Sequence, residues 1–136
     1  MPELRIYNLF VSHAWAYNDD YYRLIEMLDD APNFHYRNLS VPEHDPLHAG
    51  SRQQLEQDLY DQIRPTSIVI ILGGMYVPHH DWIQREIDIA LEMDKPILGI
   101  APWGSQVIPV AVQNSADEIV GWNTESIVNA IRRLAL

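Results

Sequence analysis

The chain alternates between short, continuously apolar runs and longer segments in which apolar residues recur every three or four positions. Runs of the first kind, rich in Ile, Val and aromatic residues, predict β-strands, and segments of the second kind predict amphipathic helices. Predicted strands cover Leu4–Ser12, 34–39, Ser67–Leu72, 95–101 and 118–122. Predicted helices cover 19–30, a segment from Ser51, a segment from Asp81, and 123–136, with a short further helix before the last strand.

This alternation of strands and helices predicts the fold class. Strands that alternate with helices form a parallel sheet with helices on both of its faces. The unbroken apolar run Ser67–Leu72 is typical of a strand that is covered on both sides. Together with the length of 136 residues, the pattern predicts one domain, residues 1–136, with an α/β, flavodoxin-like sheet of five parallel strands.

Ligands of such sheets bind at the carboxyl ends of the strands. That rule directs attention to the loops that follow the first four predicted strands. They are 12–18, Ser40–Gly50, 73–81 and 101–106.

The helix predicted from Asp81 carries a charge on its apolar side. Asp81 is its expected N-cap, with Gln84 as the reciprocal partner of a capping box. At about 100° per residue, Glu86 projects into the arc formed by the apolar residues of this helix. That arc consists of Ile83, Ile87, Ala90 and Leu91, extended on one side by Trp82, Ile89 and Met93. Gln84, Arg85, Asp88 and Glu92 form the opposite face, which is expected to be solvated.

Two interpretations of Glu86 follow, because an unpaired buried carboxylate is costly. Glu86 is either part of a structural ion pair or amide contact, or a carboxylate that faces a ligand cleft. Its helix starts at the carboxyl edge of the predicted sheet, where these folds bind ligands, which favours the second interpretation.

The net charge of the chain limits the classes of binding partner that we expect. The formal net charge is −10, from 9 basic and 19 acidic residues, and the only adjacent basic pair is Arg132–Arg133. Proteins that bind nucleic acid usually present a basic face. We therefore expect no nucleic-acid partner, whereas a small nucleotide remains compatible with the sequence.

Composition also bears on location and on metal binding. The sequence has no cysteine, no N-terminal signal pattern and no apolar run long enough to span a bilayer, so we expect a cytoplasmic protein without membrane contact. Four histidines, His44, His48, His79 and His80, do not follow a zinc-binding spacing, and we expect no metal site.

The loop after the first strand contains candidate ligand contacts. Trp15 is suited to stack on a base, and His13 to contact a phosphate or ribose, although both could instead pack at the base of the loop. Ser12 is more often the cap of the following turn than a nucleophile, and no Ser-His-Asp arrangement can be read from the spacing.

Several of these segments resemble the Toll/interleukin-1 receptor (TIR) superfamily, in particular the small bacterial TIR-like domains of Thoeris-type phage-defence systems. LFVSHAW, at 9–15, is similar to the family's first-strand signature, Phe-(Ile/Val)-Ser-(Tyr/His). The segment NLSVPEHDP is similar to the long loop after the second strand, the BB loop. The segment from Gly73 to Ile100 is similar to the Ser-x-Trp-x-x-x-Glu region. The resemblance covers nearly the whole chain.

The resemblance implies an enzyme that consumes NAD, with a catalytic glutamate four residues after a tryptophan. Trp82 and Glu86 match that spacing, so Glu86 is the implied catalytic carboxylate. NAD is then the substrate, and no further cofactor is expected. One departure is that His79, His80 and Asp81 occupy the stretch where the family often has a serine. The predicted substrate-binding residues are Ser12, His13, Trp15, His80 and Trp82.

The implied product is a nucleotide signal, a cyclic or conjugated ADP-ribose, which reaches a downstream effector in antiphage defence. Members of the superfamily often complete the active site with the BB loop of a neighbouring subunit. Here that loop is Ser40–Gly50, and the resemblance therefore implies a homo-oligomer formed through it.

Two alternatives remain at the level of the sequence. A nucleoside deoxyribosyltransferase-like enzyme also places a glutamate on a helix before an Ala-x-x-x-x-Lys-Pro strand, but its Glu-x-Gly pattern is missing, since Ile87 and Asp88 follow Glu86. A non-enzymatic TIR scaffold would commonly lack the glutamate.

Overall fold

The structure, a computed structural model, describes part of the chain. The described residues are 6–11, 19–39, 52–72, 80–101 and 110–136; within these ranges, the side chains of 19–21, 52–56, 58 and 80–83 are not described. Among the described residues, no helix has both the length and the apolar character that crossing a bilayer requires.

Strands and helices alternate along the whole described chain, as the sequence pattern predicts. The strands are β1 (Ile6–Val11), β2 (His35–Asn38), β3 (Ile68–Leu72), β4 (Ile97–Ile100) and β5 (Glu118–Val120). The helices are α1 (Asp19–Asp30), α2 (Arg52–Ile63), α3 (His80–Glu92), α4 (Val110–Ser115) and α5 (Thr124–Leu134).

The five strands form one parallel sheet in the order β2-β1-β3-β4-β5. This is the flavodoxin-like order, so the predicted fold class is confirmed. The strand order reverses between β1 and β3, where Val11 pairs with Ile70, and β3 continues to Leu72, which pairs with Ile100 of β4. Such a reversal is the point where ligands bind in open α/β sheets, outside the carboxyl ends of the strands.

Two hydrophobic cores cover the two faces of the sheet, because side chains along β3 alternate between them. Ile68, Ile70 and Leu72 face a core that is closed by α1 and α5. Val69 and Ile71 face a second core, which is closed by α2, α3 and α4. All five residues of β3 are buried, which confirms that this strand is covered on both sides.

Several predicted element boundaries differ from the structure by one or two residues, and two of these differences concern Asp81 and Trp122. α3 begins at His80, so Asp81 lies in the first turn of the helix instead of at its N-cap. β5 ends at Val120, so Trp122, predicted to lie in the last strand, belongs to the connection that leads into α5. Helix ends are the least regular part of the element, which makes them hard to place from sequence. The N-cap of α5 is Asn123, whose side chain accepts a hydrogen bond from the backbone nitrogen of Ser126.

Candidate active site

The location of the candidate site follows from the position of helix α3, which packs on one face of the sheet. This helix follows β3, one of the two strands at the reversal of strand order, and it leads back to β4. Because helix and strands run in opposite directions in such a unit, the N-terminus of α3 lies at the carboxyl edge of the sheet. The candidate site is therefore the region where α3 begins and β1 and β3 end.

Glu86 lies at the centre of the buried side of α3. It is 1% exposed, and its neighbours on the buried arc, Ile87, Ile89 and Ala90, are fully buried. At about 100° per residue, Glu86 and Ala90 fall in the middle of that arc, with Ile89 and Ile87 towards its two margins. The sequence-based prediction that Glu86 occupies the apolar side of the helix is confirmed.

The margins of the arc differ from the prediction. Leu91 was expected to face inward but is 50% exposed. The reason is that the arc is centred on Glu86 and Ala90, about 140° and 100° away from Leu91 by helical rotation. On the predicted solvated face, Asp88 and Glu92 are exposed, whereas Gln84 and Arg85 are half-buried.

Contacts with α2 hold α3 in place. The Tyr60 hydroxyl donates a hydrogen bond to Oε2 of Glu92 over 2.6 Å. This bond to a carboxylate raises the pKa of the Tyr60 phenol, and Arg85, which also contacts the hydroxyl, opposes the rise. Lys95, just beyond α3, donates from Nζ to the carbonyl oxygen of Arg64 over 2.8 Å. These contacts fix the outer side and the C-terminal end of α3, so the position of Glu86 is set by well-anchored backbone.

The direction of a helical side chain relates Glu86 to the edge of the sheet. Glu86 comes six residues after His80, which corresponds to about 9 Å along the helix axis. Side chains in a helix lean toward its N-terminus, and the N-terminus of α3 is at the carboxyl edge. Glu86 has interaction partners within the fold. Its carboxyl group is shielded from water, and electrostatic interactions are stronger in such surroundings than in water.

The other predicted site residues are placed only in part. His80 and Trp82 lie in the first turn of α3, and Trp82 precedes Glu86 by four residues, which puts both on the same side of the helix. The side chains of His80 and Trp82 are not described. Ser12, His13 and Trp15 lie outside the described residues, as does the loop Ser40–Gly50. The roles predicted for these residues and for the loop stay predictions.

A second feature of the carboxyl edge was not predicted from the sequence. Trp122 donates from its indole nitrogen, Nε1, to the carbonyl oxygen of Ala101, the residue after β4, over 2.9 Å. The guanidinium carbon of Arg23, in α1, stands 6.0 Å from the centroid of the Trp122 ring. The sequence contains only a weak signal for this contact, namely one arginine early in a helix that starts at the carboxyl edge.

Comparison with known proteins identifies a family by sequence and similarity in fold to solved structures. A sequence model of the family "Thoeris protein ThsB, TIR-like domain" matches residues 10–107, which include Glu86. No curated protein matches the chain.

Among solved structures, the chain is similar to the crystal structure of the apo-form glycosyltransferase GlyE in Streptococcus pneumoniae TIGR4. The identity is 15%, the alignment covers 97% of this chain and 34% of that one, and the TM-score is 0.48. The chain thus spans about a third of the length of that glycosyltransferase. A likeness at this level carries no argument about activity.

Proposed function

This chain belongs to the TIR-like domain family of the Thoeris protein ThsB, and we propose that it is an enzyme that breaks the nicotinamide–ribose bond of NAD. The product is a nucleotide signal, a cyclic or conjugated ADP-ribose, that acts on a downstream effector in antiphage defence. NAD is the substrate, and Glu86 is the catalytic carboxylate.

The observation that carries the proposal is the burial of Glu86. A carboxylate that is 1% exposed stands at the centre of an otherwise apolar arc. Such a placement costs free energy that a leucine or alanine would not cost. Perturbed and desolvated carboxylates concentrate at functional sites, although structural networks also contain them. The position of α3 at the reversal of strand order supports the functional interpretation.

The chemistry requires little more than one well-placed negative charge. When the bond between C1′ of the ribose and the nicotinamide nitrogen breaks, the bonding electron pair leaves with nicotinamide, which departs as a neutral molecule. The ribose develops oxocarbenium character, and a fixed carboxylate stabilises that positive charge. A nucleophile then attacks C1′. Water gives ADP-ribose, and a nucleophile within the adenosine part gives a cyclic product.

Burial also has a consequence for turnover. Because Glu86 is 1% exposed in this state, contact between its carboxylate and a substrate requires a rearrangement that uncovers it. A desolvated charge acts more strongly on the developing cation than a solvated one.

The test is to incubate the purified protein with NAD and to resolve the products by mass. We expect free nicotinamide together with a cyclic or conjugated ADP-ribose. Glu86→Gln should lower turnover by at least about a hundredfold, as expected when one preorganised stabiliser is removed. Because glutamine has nearly the same shape and keeps hydrogen-bonding atoms for the partners of Glu86, the melting temperature should hold.

The matched control is Asp88→Asn, which neutralises an exposed carboxylate two residues away on the same helix. This variant should turn over NAD at the wild-type rate. Wild-type turnover by Glu86→Gln would remove Glu86 from catalysis, and unfolding of that variant would assign it a structural role. Absence of any product from the wild type would favour a non-enzymatic scaffold.

A further inference from the structure

We propose that Tyr60 is a positioning residue for Glu86, and that its hydroxyl clamps helix α3 so that the carboxylate keeps its place while the substrate reacts. The identity of the reaction rests on the proposed function. The machinery of that function then extends from α3, which carries Glu86, to α2, the helix that packs beside it.

A single hydroxyl group joins α2 to two positions on α3. The hydroxyl of Tyr60 donates to Oε2 of Glu92 over 2.6 Å, and the side chain of Arg85 contacts the same hydroxyl. Arg85 directly precedes Glu86, and Glu92 follows Glu86 by six residues. Arg85 and Glu92 are therefore about two turns apart and lie on the same side of the helix. The clamp thus spans the turns that carry Glu86.

The ring of Tyr60 is held by the core beneath it. Tyr60 is half-buried and packs against the core closed by α2, α3 and α4. Two other residues of α2, Leu59 and Ile63, are buried members of that core. The packed ring keeps the hydroxyl at the side of α3. A phenylalanine would fill the same space without the hydroxyl, so the contribution of the hydroxyl can be separated from that of the packing.

The C-terminal end of α3 is fixed along the helix axis. Asp94 has φ 56°, and its backbone nitrogen donates to the carbonyl oxygen of Leu91 over 3.1 Å. The backbone nitrogen of Lys95 donates to the carbonyl oxygen of Ala90 over 2.9 Å, which completes a Schellman motif. Nζ of Lys95 donates to the carbonyl oxygen of Arg64, the residue after α2, over 2.8 Å. These contacts resist sliding of α3 along its axis.

A small rotation of α3 about its axis would still displace the carboxylate of Glu86. A helix with its side chains has a radius of about 5–6 Å, so a rotation of about 10° moves a group at that radius by about 1 Å. A displacement of that size can lower the rate of an enzymatic step by about a hundredfold. Apolar packing is non-directional, whereas a hydrogen bond depends on its angle. The bond from Tyr60 therefore restrains a rotation that the packing of the inner side restrains less.

The clamp also determines how the site opens. Glu86 is 1% exposed, so a substrate reaches its carboxylate only after a rearrangement. Because α3 is bonded to α2 at its outer side and at its C-terminal end, the parts that move are those that cover Glu86, and Glu86 itself stays in place. The negative charge is then preorganised for the cation that develops on the ribose, as electrostatic catalysis requires.

The test compares two tyrosine-to-phenylalanine variants that remove the same kind of bond. Tyr60→Phe removes the hydrogen bond to Glu92. The matched control is Tyr36→Phe, because the hydroxyl of Tyr36 donates to Oδ1 of Asp29 over 2.5 Å, and Asp29 belongs to α1 on the opposite face of the sheet. The kinetics of NAD turnover and the melting temperature are measured for both variants and for the wild type.

Tyr60→Phe should lower kcat by about tenfold or more and leave KM unchanged, because it displaces the carboxylate but not the groups that bind the substrate. Tyr36→Phe should keep the wild-type kcat. Both variants should show a similar small decrease in melting temperature, because each loses one hydrogen bond between a hydroxyl and a carboxylate.

Variants of Glu92 test the same bond from its other side. Glu92→Gln keeps an oxygen that accepts from the Tyr60 hydroxyl, and it should keep most of kcat. Glu92→Ala removes the acceptor and should lower kcat as Tyr60→Phe does. The double variant Tyr60→Phe/Glu92→Ala should be no slower than either single variant, because both single variants lose the same interaction.

The position of Glu86 can also be followed without NAD. Glutamate labelled at its carboxyl carbon gives an NMR signal for each glutamate side chain, and Glu86→Gln identifies the signal that belongs to Glu86. This signal should shift or broaden in Tyr60→Phe and in Glu92→Ala. It should keep its wild-type position in Tyr36→Phe and in Glu92→Gln.

An unchanged kcat in Tyr60→Phe, with NAD cleaved by the wild type, would overturn the inference and leave the proposed function standing. Equal losses of kcat in Tyr60→Phe and Tyr36→Phe would overturn it as well. A raised kcat in Tyr60→Phe would do the same, because the clamp would then hold Glu86 away from the substrate.

Two further outcomes are decided by the other measurements. If Tyr60→Phe fails to fold, equal kcat values of Glu92→Gln and Glu92→Ala would overturn the inference, and a loss confined to Glu92→Ala would support it. If the wild type does not cleave NAD, the proposed function fails and the NMR signal of Glu86 decides. A signal that changes in Tyr60→Phe but not in Tyr36→Phe supports the clamp, and a signal that is the same in both variants overturns it.

Discussion

The helices α3 and α5 cover opposite faces of the same sheet, and they differ in what they bury. The buried residues of α5 are Ile127, Val128, Ala130 and Ile131, all apolar. The buried arc of α3 has Glu86 at its centre. Both helices have a polar outer side and both pack on strands β3 and β4, so the carboxylate is the main difference between their inner surfaces.

The two helices also differ in the residues at their ends. α5 has a side-chain cap at its N-terminus, Glu125 in its first turn, and Arg132 and Arg133 in its last turn, which complements the helix dipole at both ends. α3 has no basic residue in its last turn and is followed by Asp94 in the left-handed region. A helix that satisfies every local rule serves stability, and a helix that breaks several of them is a candidate for function.

The largest expected change in stability comes from a substitution that gives α5 a buried carboxylate, the feature that distinguishes α3. Ile131→Glu would place a carboxylate in a fully buried apolar site, and we expect a loss of at least about 4 kcal/mol in the free energy of unfolding. Equilibrium denaturation monitored by circular dichroism measures this loss. The matched control is Asn129→Glu, which adds the same charge to the exposed side of α5 and should leave stability almost unchanged.

If Ile131→Glu were tolerated as well as Asn129→Glu, burial of a carboxylate in this sheet would be inexpensive. The burial of Glu86 would then lose its significance as a sign of function. A large loss for Ile131→Glu, together with an unchanged stability of Glu86→Gln, would sharpen the contrast between the two helices.

Removal of the N-terminal cap of α5 should cause a loss of stability of intermediate size. Oδ1 of Asn123 accepts a hydrogen bond from the backbone nitrogen of Ser126 over 2.9 Å. Asn123→Ala should remove that bond and lower the free energy of unfolding by about 1 kcal/mol. Thermal melts measure the change, and Asn123→Asp, which keeps an acceptor at the cap, should show little or none of it. Equal losses in both variants would show that the cap contributes nothing specific to α5.

The smallest expected effect is a gain in stability from a substitution just after the C-terminal end of α3. Asp94 has φ 56°, a conformation that glycine adopts without strain, and its carboxylate lies near the negative end of the helix dipole. Asp94→Gly should raise the free energy of unfolding by about 0.5–1 kcal/mol. The counterpart on α5 is Ala135→Gly, where φ is −59°, so glycine should bring no gain. A gain at both positions, measured by thermal melts, would mean that backbone strain does not distinguish the two helix ends.

The pattern of apolar residues was sufficient to predict most of the fold. The alternation of strands and helices, the double burial of β3 and the cap at Asn123 all follow from local periodicity and local hydrogen bonding. The parallel sheet follows from the same alternation, because parallel strands need crossover helices, whereas the order β2-β1-β3-β4-β5 is fixed by the folded structure. Local rules also placed Glu86 on the inner side of its helix.

The tertiary structure decided what periodicity leaves open. Which apolar residue at the margin of an arc is covered depends on the neighbouring element, and for that reason Leu91 is half-exposed although its spacing predicts burial. The contact between Arg23 and Trp122 joins residues about a hundred positions apart in sequence, and no local pattern relates them. By itself, the sequence determined which elements form and which face of each is apolar, because those properties depend on near neighbours. The meeting of side chains at the carboxyl edge depends on how the chain crosses the sheet, and only the folded structure fixes it.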